Sequence, residues 1–237
     1  MTKLADKVAL ITGGSKGIGY GIAEALLAEG LKVVITGRTT ETIDEAINRL
    51  NDSGEVLGIT ADVRSLDDMN KAVRQTIAHF GKLDVLIANA GIGHFASITS
   101  LTPKQWQDTV DINLTGVFNT VKASVDALKE TKGYIITISS LAGSNFFASG
   151  TAYNASKFGL TGFTQALMLD LRDDDIKVST IMPGSVSSHF GGRTPEDGKE
   201  WRIQPEDIGQ ITVDLLKIHP RTLPSKVEVR PSKTASI

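Results

Sequence analysis

Tyr153 and Lys157 stand four residues apart in residues 151–171, a stretch with a helical pattern. That spacing places two side chains on one face of a helix, a turn apart. An ammonium beside a phenol favours the phenolate and draws the phenol's pKa toward working pH, as a proton donor and acceptor requires. A Tyr-x3-Lys pair alone is equally a solvated surface pair, so its weight comes from what surrounds it. Ser139-Ser140 closes an apolar run at residues 133–139. Asn89-Ala90-Gly91 follows another at 83–88, and Pro183-Gly184 a third at 176–182. If these runs are strands of an open α/β sheet, all of these residues sit at strand carboxyl ends, where such sheets bind ligands. Asn113 falls inside a helical pattern, a position asparagine suits only when its side chain bonds solvent or a nearby backbone.

A second chemistry lies near the start of the chain. The apolar run 7–12 leads into Gly13-Gly14-Ser15-Lys16-Gly17-Ile18-Gly19 and then into the helical pattern 20–29. A glycine turn between strand and helix lets backbone N–H groups approach a pyrophosphate, and the helix N-terminus adds partial positive charge. The spacing is Gly-x3-Gly-x-Gly, unlike the commonest dinucleotide fingerprint, Gly-x-Gly-x-x-Gly. The run 32–37 ends in Gly37-Arg38. A carboxylate there would bind ribose hydroxyls and repel a 2′-phosphate. Gly37 offers none, while Arg38 and Lys16 can present cations to that phosphate. This predicts NADP(H) rather than NAD(H). Asp62-Val63 stands after the run 55–61, where an adenine amino group would be held, although an Asp after a strand is also a common helix cap.

The elements that must position these residues follow from the same runs. Strands are expected at 7–12, 32–37, 55–61, 83–88, 133–139 and 176–182, with a short last one at 226–229. Their near-continuous apolar character fits a parallel sheet covered on both faces. Helix starts lie between them: Ser65 with Asp68, Thr102-Pro103-Lys104-Gln105, and Pro205 with Glu206 and Asp207. The reading is α/β, a Rossmann-type doubly wound parallel sheet of about seven strands with helices on both faces. It forms one domain over 1–237, with a substrate loop at 184–204 and a flexible tail at 231–237. The chain has 237 residues, net charge -2, 22% charged and 41% hydrophobic residues. That balance points away from nucleic acid and membranes and toward a cytoplasmic protein. The absence of cysteine rules out disulfides and thiolate metal sites, and the four histidines, His79, His94, His189 and His219, show no ligand spacing, so no metal is expected.

Taken together in order and spacing, Thr12 through Gly19, Asp62-Val63, Asn89-Ala90-Gly91, Asn113, Ser140, Tyr153-x3-Lys157 and Pro183-Gly184 resemble the short-chain dehydrogenase/reductase family. The likeness spans about residues 5–230. Ser140 rather than Ser139 is the match, standing thirteen residues before Tyr153. The resemblance implies Tyr153 as general acid/base and Lys157 as the group that binds the nicotinamide ribose and lowers the phenol's pKa. It implies that Ser140 positions the substrate oxygen and that Asn113 holds a water linking Lys157 to solvent. Cofactor contacts are implied for Gly13, Ser15, Lys16, Gly17, Ile18, Gly19, Arg38, Asp62, Val63, Asn89, Ala90, Gly91, Tyr153, Lys157, Pro183, Gly184, Val186 and Ser188. Ala88 replaces the first asparagine of the usual Asn-Asn-Ala-Gly form, Ser188 stands in for a threonine, and Lys226 to Arg230 lacks the Gly-rich close of many fatty-acid reductases.

The segments after the fourth, fifth and sixth strands supply His94, Phe95, Leu141, Phe146, Phe147, His189, Phe190 and Trp201 to a substrate wall. Of these, His94, Phe147, His189 and Phe190 are the expected substrate contacts, and the expected partner is a small apolar or aromatic carbonyl or alcohol. Val117, Phe118, Phe163 and Leu167 exceed what one sheet face needs, so a homodimer or homotetramer is expected. Beside the leading reading, an NADPH-dependent carbonyl reductase, stand a 3-oxoacyl-thioester reductase and a non-catalytic NADP(H) sensor.

Overall fold

The computed structural model describes residues 3–188, 190–192 and 201–233. His189 lies outside that range, as do residues 193–200 of the expected substrate loop and the end of the tail. Seven strands form one parallel sheet: β1 (Val8–Thr12), β2 (Lys32–Gly37), β3 (Val56–Thr60), β4 (Val85–Ala88), β5 (Tyr134–Ile138), β6 (Lys177–Pro183) and β7 (Lys226–Val229). Their order is β3-β2-β1-β4-β5-β6-β7. Every expected strand is present. The connection between β3 and β4 crosses back over β2 and β1, so the strand order reverses at β1 and β4 and opens a crevice at their carboxyl ends.

The helices are α1 (Gly17–Ala28), α2 (Thr40–Leu50), α3 (Leu66–Phe80), α4 (Pro103–Val110), α5 (Gly116–Thr131), α6 (Thr151–Asp170) and α7 (Pro205–Lys217). Successive strand residues point to opposite faces, so the sheet builds two cores. Ile11, Ile35 and Ile136 pack with Ile22, Leu26, Ile43, Leu50, Ile208 and Val213 of α1, α2 and α7. Leu10, Val34, Leu86 and Ile135 pack with Met69, Val73, Val121, Leu128 and Leu160 of α3, α5 and α6. β1 and β5 are buried along their whole length, which is why their sequences run apolar without alternation.

The helix starts are built much as expected. Thr102 Oγ1 accepts from Gln105 N at 3.2 Å, and Gln105 Oε1 accepts from Thr102 N at 3.0 Å. Asp207 accepts from Gln204 N at 2.7 Å at the head of α7. At α3 only half the box forms. Ser65 Oγ accepts from Asp68 N, but the Asp68 carboxylate turns to Asp62 N at 3.1 Å and ties the end of the third strand's loop to the helix. Between α4 and α5 the helix passes through a π-turn at Asp111–Thr115, which contains Asn113. Such turns recur at functional sites because they re-aim the backbone.

The apolar residues read as surplus divide. Val117 is 3% exposed and belongs to the core beside α3, while Phe163 and Leu167 are partly buried against the same core. Phe118 is exposed, and so are Phe158 and Leu169 on α6. Among the described residues no helix is long and apolar enough to cross a membrane, and no cluster of His, Cys, Asp or Glu could hold a metal ion.

Candidate active site

The strand carboxyl ends open on one cleft of about 1660 Å³. Single-ligand pockets commonly measure roughly 300–1,000 Å³, so this cleft has room for a dinucleotide and a substrate together. It runs from Arg38 at one end, across the glycine turn and Asn89-Ala90-Gly91, to Ser140, Tyr153 and Phe190 at the other.

At the first end the turn is held open by backbone geometry. Gly13 adopts φ +64° and a Cβ there would meet the Ala90 backbone at 3.0 Å; a Cβ on Gly19 would stand 2.4 Å from Gly13 O. Gly19 thus packs beneath the turn and does not line the cleft, while Gly13, Ser15, Lys16, Gly17 and Ile18 do. Its part is to let α1 begin immediately under the loop. Asn89 Nδ2 donates to Thr12 O and Gly13 O at 2.9 and 3.0 Å, and Thr12 Oγ1 accepts from the N–H groups of Asn89 and Ala90. This lattice welds β1's turn to β4's end. The N-terminus of α1 has no side-chain cap and no acidic residue in its first turn. Its N–H groups are therefore left for an anion.

Lys16 and Arg38 both line the outer end, and both are exposed. Arg64 first, and Arg38 after it, keep the Asp62 carboxyl ionised. That carboxylate is already claimed: Arg64 Nε donates to both Asp62 oxygens at 3.1 and 3.0 Å, and a second guanidinium nitrogen reaches Oδ2 at 2.6 Å. The Arg64 hydrogen bonds hold Asp62 below the usual carboxylate range. At this end Lys16 and Arg38 are open to solvent, and the Asp62 carboxylate is neutralised by its own arginine. The uncapped helix, the open turn and this cation pair fit a phosphorylated dinucleotide.

At the other end the polar groups are buried. Tyr153 and Lys157 share one face of α6 and are 8% and 4% exposed. Lys157 Nζ donates to Ile138 O at 2.9 Å and lies 5.8 Å from the Tyr153 ring centroid. Burial pushes Lys157 down to about 8. Burial also pushes Tyr153 up to about 12, partly offset by the facing Ser140 hydroxyl. The group that lowers the phenol in this arrangement is Ser140, and desolvation of the phenolate outweighs it. The paired serines separate cleanly. Ser139 Oγ turns into α6 and meets Thr161 Oγ1 at 3.1 Å, while Ser140 faces Tyr153. Asn113 is fully buried and does not line the cleft. Its Oδ1 accepts from Ile92 N at 2.8 Å, and its Nδ2 donates to Ile92 O and Ser156 Oγ. The side chain is spent on fixing the backbone after β4, next to Gly91 and Lys157.

His94, Phe95, Leu141, Phe147, Phe190 and Trp201 line the Tyr153 end of the cleft with Pro183, Gly184, Val186 and Ser188. Phe146 does not; it is 86% exposed and points away. Val186 bridges to Ile203, and Ser187 N donates to Ile203 O at 2.9 Å, so the two ends of the loop after β6 are pinned together.

A family model described as short chain dehydrogenase matches residues 7–198. The chain belongs to the short-chain dehydrogenase family. An uncharacterized oxidoreductase of Staphylococcus saprophyticus is 33% identical over 98% of this chain and 100% of its own length. Among solved structures, an alcohol dehydrogenase from the archaeon Thermococcus sibiricus, complexed with 5-hydroxy-NADP, matches with TM-score 0.91 at 27% identity, covering 98% of this chain and 99% of that one. A metagenomic short-chain oxidoreductase in complex with NADP matches with TM-score 0.85 at 32% identity, covering 98% and 100%. A 3-ketoacyl-(acyl-carrier-protein) reductase from Brucella melitensis, complexed with NADH, matches with TM-score 0.86 at 25% identity, covering 97% and 98%.

Within this short-chain dehydrogenase fold, four residues carry no earlier motif. Arg64 had a signal, a cation two residues past an acid, but spacing does not reveal a fork. Arg230 and Pro231 line the cleft from the end of β7, a place the strand-end rule already pointed to. The Ile138 carbonyl that holds Lys157 is backbone and has no side-chain signature.

Proposed function

We propose that this short-chain dehydrogenase is an NADP(H)-dependent enzyme that reduces a carbonyl to an alcohol, or runs the reverse. The observation that supports it most strongly is the juxtaposition, in one dinucleotide-sized cleft, of a buried Tyr153, a facing Ser140 and a Lys157 fixed beneath them. When bound, the dinucleotide supplies the hydride. Ser140 donates a hydrogen bond to the substrate oxygen and sets it beside the phenol. Tyr153 gives its proton to that oxygen as negative charge develops there. Burial keeps the phenol protonated until then, and excludes water from the site. Lys157 places a positive charge under the phenolate so formed, held in line by Ile138 O. Asn113 fixes the Ile92 backbone and so the wall against which Lys157 packs. Lys16 and Arg38 favour NADP(H) through charge-assisted bonds to the 2′-phosphate.

The preferred substrate is a small carbonyl with an apolar or aromatic body, because Phe95, Phe147, Phe190 and Trp201 line the mouth. The likeness to the Brucella melitensis reductase supports a 3-oxoacyl thioester as the second reading. In solution the protein is a homodimer or homotetramer, with Phe118, Phe158 and Leu169 in the contact. Steady-state rates with NADPH and NADH across ketones, diketones, aldehydes, quinones and acetoacetyl thioesters test the reading. Turnover of at least one carbonyl class with NADPH, at an efficiency about 10²-fold or more above NADH, is expected from two partly screened charge-assisted contacts. Equal or better efficiency with NADH would defeat the cofactor assignment, and thioesters alone as substrates would move the reading to the second.

A further inference from the structure

Three segments each send one phenyl ring to the mouth of the site. Phe95 follows β4, Phe147 follows β5 and Phe190 follows β6. Phe95 and Phe190 both meet the Tyr153 ring, at centroid distances of 5.3 and 5.5 Å and interplanar angles of 66° and 56°. They stand 6.3 Å from each other, and Phe147 lies 6.0 Å from Phe95. The rings rest on glycines. A Cβ on Gly93 would stand 2.6 Å from the Phe190 ring and 2.8 Å from the Phe95 ring, and one on Gly150 would stand 2.8 Å from Phe147. Neither Gly93 nor Gly150 has a positive φ, so backbone conformation does not require glycine at either; at Gly93 the two rings do, and at Gly150 the Phe147 ring does together with the Asn154 side-chain oxygen. Phe95 and Phe147 nevertheless remain 41% and 48% exposed and line the cleft. They offer apolar faces and edges to whatever lies beside the Tyr153 hydroxyl.

We propose that Phe95, Phe147 and Phe190, seated on Gly93 and Gly150, are specificity-determining residues that select a carbonyl conjugated to a flat ring, as in aryl ketones, aryl aldehydes and quinones. The proposal rests on the carbonyl-reduction reading above and names its substrate class. Tilted rings present edges to faces, the geometry in which an added aromatic ring gains beyond its buried area. Each such ring pair is worth about two- to tenfold in affinity. A saturated ring of the same size gains the burial but not this increment, so the arrangement separates the two.

The test uses the full-length protein, NADPH and a matched pair of ketones, acetophenone and cyclohexyl methyl ketone. The quantity read is the ratio of their kcat/KM values, compared between wild type and variants so that the ketones' own reactivities cancel. Phe95→Leu with Phe190→Leu should lower the aryl-to-cyclohexyl ratio by about tenfold, the sum of two ring pairs partly replaced by leucine burial. Gly93→Ala keeps every ring but displaces two of them, and should lower the ratio as well. Should the double variant fail to fold, Phe95→Leu alone and Gly93→Ala give the same comparison. Turnover of both ketones with a ratio unchanged within about twofold in these variants overturns the specificity assignment and leaves the reduction reading standing. Failure of wild type to reduce acetophenone while it turns over another, non-aryl carbonyl overturns the specificity assignment alone, and failure across the whole carbonyl panel overturns both.

Discussion

At the glycine-turn end of the cleft, the groups open to a ligand are backbone N–H groups and two exposed cations, Lys16 and Arg38. On α6, at the same edge of the same sheet, they are side chains taken out of water, with Tyr153 8% and Lys157 4% exposed. The first region keeps its chemistry in solvent, where a substitution changes recognition and leaves stability nearly untouched. The second keeps it under burial, where the protein gives up stability to hold a charge-bearing group in place. On the proposed function, recognition and catalysis are thereby separated along one cleft, and each should respond to mutation in its own way.

The sharpest contrast comes from removing one oxygen on the buried side. Tyr153→Phe keeps the ring that Phe95 and Phe190 pack against and deletes the proton. Turnover should fall by about 10²–10⁴-fold, as for general acid–base groups, while NADPH affinity measured by fluorescence titration stays within a few-fold. A variant with near-normal turnover would assign Tyr153 a structural role. On the exposed side, Arg38→Ala should erase much of the NADPH preference, on the order of tenfold or more from one charge-assisted contact, with NADH kinetics and thermal stability unchanged. A loss of stability there would break the contrast.

Lys157 tests the cost of burial. Its folded value of about 8 lies below the ordinary 10.5, so the unfolded chain binds more protons between those two pH values and stability from this group rises across that window. At pH 7 the buried ammonium is a liability. Lys157→Met should therefore raise unfolding stability by about 1–2 kcal/mol in denaturant titration, since losing the desolvation cost exceeds orphaning the Ile138 carbonyl. The gain should shrink as pH rises from 8 to 10. In wild type, kcat/KM for reduction should decline above about pH 8, as the charge beneath the phenolate is lost. A flat profile up to pH 10 would remove Lys157 from the proton step. The smallest expected effect belongs to Arg64→Ala. Its fork to Asp62 is half-exposed, and such pairs contribute roughly 0.2–1 kcal/mol. NADPH binding should weaken by no more than about fivefold; a larger loss would make Arg64 a direct ligand.

The two regions also differed in how far the sequence revealed them. The seven strands were legible because both faces of the sheet are buried and their apolar runs are unbroken. The turn was legible because glycines between a strand and a helix have few other uses. Tyr153, Lys157 and Ser140 could be located through spacing and strand ends, yet their burial could not. Lys157 finds its acceptor nineteen residues back in the chain, at a backbone carbonyl, and Asn113 spends its amide on Ile92; neither partner leaves a trace in residue type. Phe146 and Phe147 show the same limit in a loop. No period governs adjacent residues there, and one points to solvent while the other lines the cleft. Val117 read as surplus because the sequence did not show how deeply α5 packs on α3.

Hydride transfer in this cleft, with Tyr153 as the proton donor, is the step on which the proposed function stands. Its most direct test follows deuterium from NADPH labelled at nicotinamide C4 into the alcohol product, by mass spectrometry, for wild type and Tyr153→Phe. The account predicts label at the former carbonyl carbon from one face of the nicotinamide only, with transfer slowed by about 10²–10⁴-fold in the variant. Product without label, or transfer in Tyr153→Phe at the wild-type rate, would contradict it.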